Sequence, residues 1–285
     1  MAIFSKIKLK KQGPHQHQDH SNRYNPRSIR KKVLLVLIVS VAATSLIISI
    51  APNEQKTLLS DVIEPFTAAL AAGLSLIIVY RQKTDGLIGR AFAALSVGLV
   101  LFTAAEIIWS YYEIGLKIEN PFPSIADALW IAGYGPLIYF VFKMFRFYGA
   151  SRTKIHIAIV LAATLAFVLY LTMDVSQSIN FNSQTDIMSF LVSIAYPIFD
   201  AVILVPSSLI LLNPAKGELT SIPWIFLAVI TMTVGDTIFA YISDNTQAES
   251  FTWAANIFFI TAYTMITLGL YWHKTFFVNS QKRNN

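Results

Sequence analysis

The sequence predicts an all-α membrane protein of eight transmembrane helices, arranged as two tandem four-helix halves with both termini cytoplasmic. Three observations carry that prediction. The 285-residue chain is 55% hydrophobic and 13% charged, about half the charged fraction of an ordinary soluble domain. Its apolar residues gather into runs that reach the ~18 residues needed to cross a bilayer. Its basic residues fall almost entirely on one side of the resulting topology.

Residues 1–32 form a polar tail with nine Lys or Arg against one acid, Asp19. Such a segment is expected to be mostly disordered, cytoplasmic and held near anionic lipid. His15, His17 and His20 have no other ligand types beside them and read as solvated, so no metal site is expected. The first apolar run is Val33–Ile50. It is long for a signal-peptide core, and Ala51-Pro52-Asn53-Glu54 follows it rather than a cleavage site, so it reads as a retained helix. The other spans are expected at about Val62–Tyr80, Ile88–Tyr112, Ile125–Phe147, Ile155–Thr172, Ile187–Leu212, Ile222–Ile242 and Thr252–Trp272. Residues 33–273 then form one membrane domain, and 274–285 a short cytoplasmic tail.

With the N-terminus inside, 20 of the 22 Lys and Arg residues lie on the cytoplasmic side; only Lys56 and Lys117 fall outside. Trp109, Trp130, Trp253, Tyr111 and Tyr112 come near the outer interface, and Tyr80, Tyr148, Tyr271 and Trp272 near the inner one, as aromatic belts do. The net charge of +6 is therefore a topology signal. The expected partner is the lipid bilayer of the cell membrane, not nucleic acid. The chain has no cysteine, which excludes disulfides, thiolate nucleophiles, Cys-ligated metals and palmitoylation. No lysine lies mid-span to carry a retinal Schiff base, and no cofactor is expected.

A pattern recurs along the chain. Glu106, Asp127 and Tyr134 are answered by Asp236, Asn256 and Tyr263, with spacings of 21 and 7 in one copy and 20 and 7 in the other. Glu64-Pro65 answers Tyr196-Pro197, and Lys32-Val33 and Lys154-Ile155 open the first and fifth spans. Two four-helix halves of the same orientation put the pseudo-twofold axis along the membrane normal.

The candidate site lies in the polar residues of these spans. A charge at a helix centre costs ~2.5–3.5 kcal/mol on insertion scales and normally faces the bundle or a wet cavity. Glu106 sits roughly 9 Å below the outer end of its helix at 1.5 Å per residue, with Trp109, Ser110 and Glu113 on its face. Asp236 is at similar depth, and Asp200 follows Tyr196 by one turn. These three acids are either hydrogen-bonded pins between helices or functional groups. Asp127 has a local explanation: Ser124-Ile125-Ala126-Asp127 reads as a capping box. Asp61-Val62-Ile63-Glu64 gives Glu64 the same reading. Asp127, Trp130 and Tyr134 share one face, repeated by Asn256, Phe259 and Tyr263. The ligand-binding set expected is Glu106, Trp109, Asp127, Trp130, Tyr134, Tyr196, Asp200, Asp236, Asn256 and Tyr263, with no catalytic or metal-ligating residue assigned. His156 and His273 are expected at inner helix ends, where the helix dipole or lipid headgroups suit them. Pro136, Pro197 and Pro206 are expected to kink their helices near the polar cluster.

The stretch PFPSIADALWIAGYGPL (Pro121–Leu137), preceded by Glu106-Ile107-Ile108-Trp109 and Tyr112-Glu113, resembles a prokaryotic multi-helix membrane sensory region. That region is found in front of GGDEF/EAL cyclic-dinucleotide enzymes and some histidine kinases. Tyr196-Pro197 with Asp200, and Gly235-Asp236, resemble its second half. Here no GGDEF, EAL, PAS or kinase sequence follows Lys274, so the resemblance implies a stand-alone sensory region, of a look also found in archaeal membrane proteins, without its output. Gly235-Asp236 and Asn256…Tyr263 are also similar to lysoplasmalogenase-like proteins. The resulting expectation is a sensor or transducer whose outward-facing polar cavity binds a small ligand, lipid headgroup or cation, and which addresses a cytoplasmic or membrane signalling partner, as a monomer or an oligomer. The alternatives are an intramembrane lipid hydrolase using Glu106, Asp127 and Asp236, and then a transporter.

Overall fold

The structure, a computed structural model, describes residues 26–118, 120–148, 154–178, 184–212, 222–243 and 252–275. The N-terminal tail as far as residue 25, its three histidines and the C-terminal residues from 276 lie outside the described residues. All regular structure among the described residues is helical: α1 Pro26–Ile50, α2 Asn53–Gln82, α3 Gly86–Ser110, α4 Ile125–Tyr148, α5 Lys154–Ser178, α6 Gln184–Leu211, α7 Ile222–Ser243 and α8 Thr252–His273. Seven of them are long and apolar enough to cross a membrane; in α5 the apolar stretch, Lys154–Tyr170, is shorter. Helices of this length and composition make the chain a polytopic membrane protein.

Several boundaries differ from expectation. α1 begins at Pro26 rather than Val33, so residues 26–32 of the expected disordered tail continue the helix, and α5 runs to Ser178 rather than Thr172. α2 begins at Asn53 rather than near Val62. Residues 53–61 are polar but contain no helix breaker, and Pro52, a residue that favours helix starts, directly precedes them. Asp61 and Glu64 therefore lie inside α2 and cap nothing. At the other end of the first hairpin, α3 runs into a widened π-type turn, Tyr111–Gly115. The chain then returns through a loop to Ser124, where α4 starts. There the capping box forms as expected. Ala126 N–H donates to Ser124 Oγ at 3.1 Å, and Ser124 N–H donates to Asp127 Oδ2 at 2.7 Å.

Six helices close a ring in the order α2, α3, α4, α6, α7, α8, each packed on the next, with α8 returning to α2. α1 lies outside against α8 and α2, and α5 outside against α6. The tightest approach is between α3 and α4. A side chain on Gly98 would press on the Gly133 carbonyl, and one on Gly133 would fall 2.5 Å from the Phe102 ring. Small residues at such crossings let membrane helices pack by van der Waals contact. Ala228 and Ala262, both fully buried, sit in α7 and α8. The core beneath is apolar and aromatic, with Phe140 stacked on Phe226 at 6.1 Å and edge-on to Phe92 at 5.8 Å. Large apolar side chains such as Leu35, Leu46, Ile159 and Leu165 are exposed on α1 and α5, as a lipid-facing surface requires. Helices α4 and α6 continue through Pro136, Pro197 and Pro206.

The end of the bundle opposite the α3–α4 loop corrects another expectation. His273 is buried, stacked on Phe92 at 4.2 Å, with Nε2 3.1 Å from Gln82 Oε1. Trp272 is buried as well. Both residues close the ring from within, because the last turn of α8 lies against the ends of α2 and α3 rather than projecting to the headgroups. α2 and α8 run parallel, since Asn256 meets Ser60 near one end and His273 meets Gln82 at the other.

Candidate functional site

The ring encloses a cavity of about 340 Å³ in the half of the bundle nearest the α3–α4 loop, within the usual size range of small-molecule sites. All ten residues of the expected binding set line it.

α3 supplies Glu106 one turn before its end, together with Phe102 and Trp109 from the same face. Glu106 Oε1 accepts two hydrogen bonds, from Tyr263 Oη at 2.7 Å and Trp130 Nε1 at 3.1 Å. The carboxyl of Glu64, buried in α2, lies in hydrogen-bonding contact with that of Glu106. This is one wall. The opposite wall belongs to α6 and α7. Tyr134, from α4, donates to Asp200 Oδ1 at 2.7 Å and approaches Asp236 Oδ2 at 3.5 Å. The Asp200 and Asp236 carboxyls are again neighbours in hydrogen-bonding contact. Thr233 Oγ1 is buried against Asp200 but has no hydrogen-bond partner of acceptable geometry. A carboxyl pair in contact is satisfied by a shared proton or by a cation, because two bare carboxylates repel.

Between the walls, Asp127 joins two roles. Oδ2 completes the cap of α4, and Oδ1 accepts from Tyr196 Oη at 2.9 Å. Asn256 Nδ2 donates to Ser60 Oγ at 2.9 Å. Aromatic rings fill the remaining surface: Trp109 lies 5.5 Å from Trp130 and 5.9 Å from Phe239, and Tyr134 stacks on Phe199 at 5.3 Å. Trp109 and Trp130, expected at the interface belt, thus face inward, with the Trp130 N–H engaged by a carboxyl. At the mouth, Asn120 and Phe122 of the α3–α4 loop and Ser189 of α6 contribute. Asn120 N–H donates to Glu113 Oε1 at 3.3 Å, which ties the loop to the end of α3. Beside it, Asp61 and Glu113 make a further carboxyl contact, and Ser110 Oγ donates to the Asp61 carbonyl at 2.6 Å.

Glu64 also lines the cavity; it belongs to the outer polar cluster that the sequence predicts but stands outside the expected binding set, because a cap explains it equally well. Its signal was an acid inside an apolar run, masked by the late start given to α2. Phe102 was visible one turn before Glu106, whereas Phe122 and Ser189 reach the cavity only through tertiary packing.

Five carboxyl groups line the cavity, and no Lys, Arg or His does so among the described residues. The same residues contain no group of three His, Cys, Asp or Glu placed to hold a metal ion. The chemistry on offer is therefore a set of paired carboxyls, tyrosine hydroxyls and aromatic faces, suited to cations and to hydrogen-bond donors. Comparison of the chain with protein-family models, with curated proteins and with solved structures gives no match.

Proposed function

We propose that this is a membrane protein of the sensor or transducer type whose cavity binds a small organic cation from the outer side of the cell membrane. The observation that supports this reading most is the lining: five carboxyls and several aromatic faces without one basic side chain. Cation–π attraction and carboxylate charge act together in such a space. The cavity is walled by all six helices of the ring, so a bound ligand bears on every one of them. In the same reading both chain ends are cytoplasmic and the cavity mouth is outside, as the distribution of Lys and Arg favours. In this reading the two groups of four helices arose by duplication; the ring order, α2–α3–α4 followed by α6–α7–α8, supports it, with Glu106 and Asp236 on helices facing each other, although the outer helices differ, α1 packing mainly on α8 and α5 on α6. A signalling partner in the cytoplasm or membrane then reads the helix rearrangement.

Titration of the detergent-purified chain with alkylammonium salts tests the binding, with the fluorescence of Trp109 and Trp130 as the signal. Saturable quenching that weakens in Glu106→Gln and in Asp236→Asn and disappears when both are combined is expected. An unchanged spectrum at millimolar ligand would sink the proposal. The paired carboxyls also suit the acid–base chemistry of an intramembrane hydrolase. A lipid panel from which the wild type releases a product that the two amide variants do not would favour that second reading.

A further inference from the structure

The two carboxyl pairs stand on opposite sides of the ring. Going round it, α2 and α3 are neighbours, α6 and α7 are neighbours, and α3 is the third helix from α7 in either direction. Glu64 and Glu106 therefore face Asp200 and Asp236 across the cavity. With neighbouring helices at 8–10 Å, opposite axes in a regular ring of six stand about 16–20 Å apart, and the carboxyls reach inward from both. A pair that shares one proton keeps one negative charge, so each wall holds one anionic position. No basic side chain lines the cavity to neutralise either, and uncompensated buried charge is costly. The space between the walls is aromatic, with Trp109 and Phe239 meeting across it at 5.9 Å.

We infer that the cavity is built for a two-ended organic cation of the diamine class, with one ammonium group at Glu64 and Glu106, the other at Asp200 and Asp236, and the alkyl chain along the aromatic rings. This rests on the cation-binding reading above and narrows its ligand. A metal ion needs several ligands converging on one point, whereas the carboxyls here are divided between two walls. A monovalent amine neutralises one wall and leaves the other as it was.

The test is a length series. Purified full-length protein in detergent is titrated calorimetrically with 1,n-diaminoalkanes of three to eight carbons and with n-alkylamines of the same carbon count. The best diamine is expected to bind at least tenfold more tightly than its matched monoamine, with a clear optimum in chain length. Glu106→Gln and Asp236→Asn should each bring the diamine down to about the affinity that the wild type shows for the matched monoamine. The wild-type series decides the matter even if a variant does not fold. Equal affinity of diamine and monoamine at every length overturns the two-ended site while leaving a single cation site standing. Failure of every amine to bind overturns both.

Discussion

Replacing Tyr263 by Phe removes one hydroxyl and nothing else. That hydroxyl donates to Glu106 Oε1 at 2.7 Å, and Tyr263 is almost wholly buried. An unsatisfied buried acceptor costs ~1–3 kcal/mol. Measured hydrogen bonds between membrane helices average ~0.6 and reach ~1.7 kcal/mol. Glu106 retains the Trp130 N–H at 3.1 Å and its contact with Glu64, so the lower range applies and the loss should be about 1 kcal/mol. Trp130→Phe alone should cost a similar amount. The two donors share one oxygen, so removing both strips it and the double variant should exceed the sum of the singles by about 0.5–1 kcal/mol. Reversible unfolding in mixed detergent micelles measures all three, with Tyr80→Phe on the exposed surface as the control expected to be silent. A Tyr263→Phe variant within 0.3 kcal/mol of wild type (about the precision with which independent sites add), together with an additive double variant, would refute the assignment of Tyr263 and Trp130 to a single buried carboxyl.

Other substitutions separate the parts of the site. Ser124→Ala should cost about 1 kcal/mol as a lost helix cap, whereas Asp127→Ala should cost about twice that, because Tyr196 also loses its acceptor; unfolding of the two variants distinguishes cap from cavity. Gly133→Ala places a methyl group 2.5 Å from the Phe102 ring and should destabilise by about 1–3 kcal/mol through overpacking, with weaker ligand binding as the cavity wall shifts. His273→Ala should lose about 1–2 kcal/mol from the ring stack on Phe92 and the contact with Gln82, read as a lower unfolding midpoint with cation binding intact. The natural absence of cysteine permits a direct topology assay: a single cysteine at Asn120 should react with an impermeant maleimide in intact cells, and one at Lys83 only after lysis.

Most of the helices were legible because a bilayer leaves few alternatives: a run of some twenty apolar residues has one sensible reading. The start of α2 was not, because Asn53–Asp61 continues the helix through polar residues, and hydropathy sees only the apolar part. That error gave Glu64 a ready local explanation, since an acid three turns inside a helix looks like a cap when the helix is started too late. The inward set was legible for a different reason. Glu106, Asp200 and Asp236 are acids in apolar runs, and Tyr134 and Tyr263 recur at the same spacing from Asp127 and Asn256. What no spacing rule contains is which tyrosine meets which acid, because those pairings join helices far apart in sequence. The aromatic residues near helix ends show the same limit. Hydropathy places Trp130 at an interface, but the carboxyl one helix away turns its indole N–H inward.

The pairings themselves connect the site to the assembly of the fold. Tyr134 of α4 donates to Asp200 in α6, Tyr196 of α6 donates to Asp127 in α4, Tyr263 of α8 donates to Glu106 in α3, and Asn256 of α8 donates to Ser60 in α2. Each bond runs between the first four helices and the last four. In lipid the hydrophobic effect does not distinguish one helix arrangement from another, so polar contacts and close packing must set the register. Close packing by Gly98 and Gly133 works within the first four helices, and Gly235 against Phe259 within the last four. Hydrogen bonds in the cavity therefore carry much of the specificity with which α4 meets α6 and α8 meets α2. A cation that enters and draws these carboxyls toward itself competes with the bonds that hold the two groups of helices in register. On the proposed reading, occupancy and helix arrangement would be coupled through the same atoms, and only a ligand with different affinity for the two arrangements could shift the balance between them.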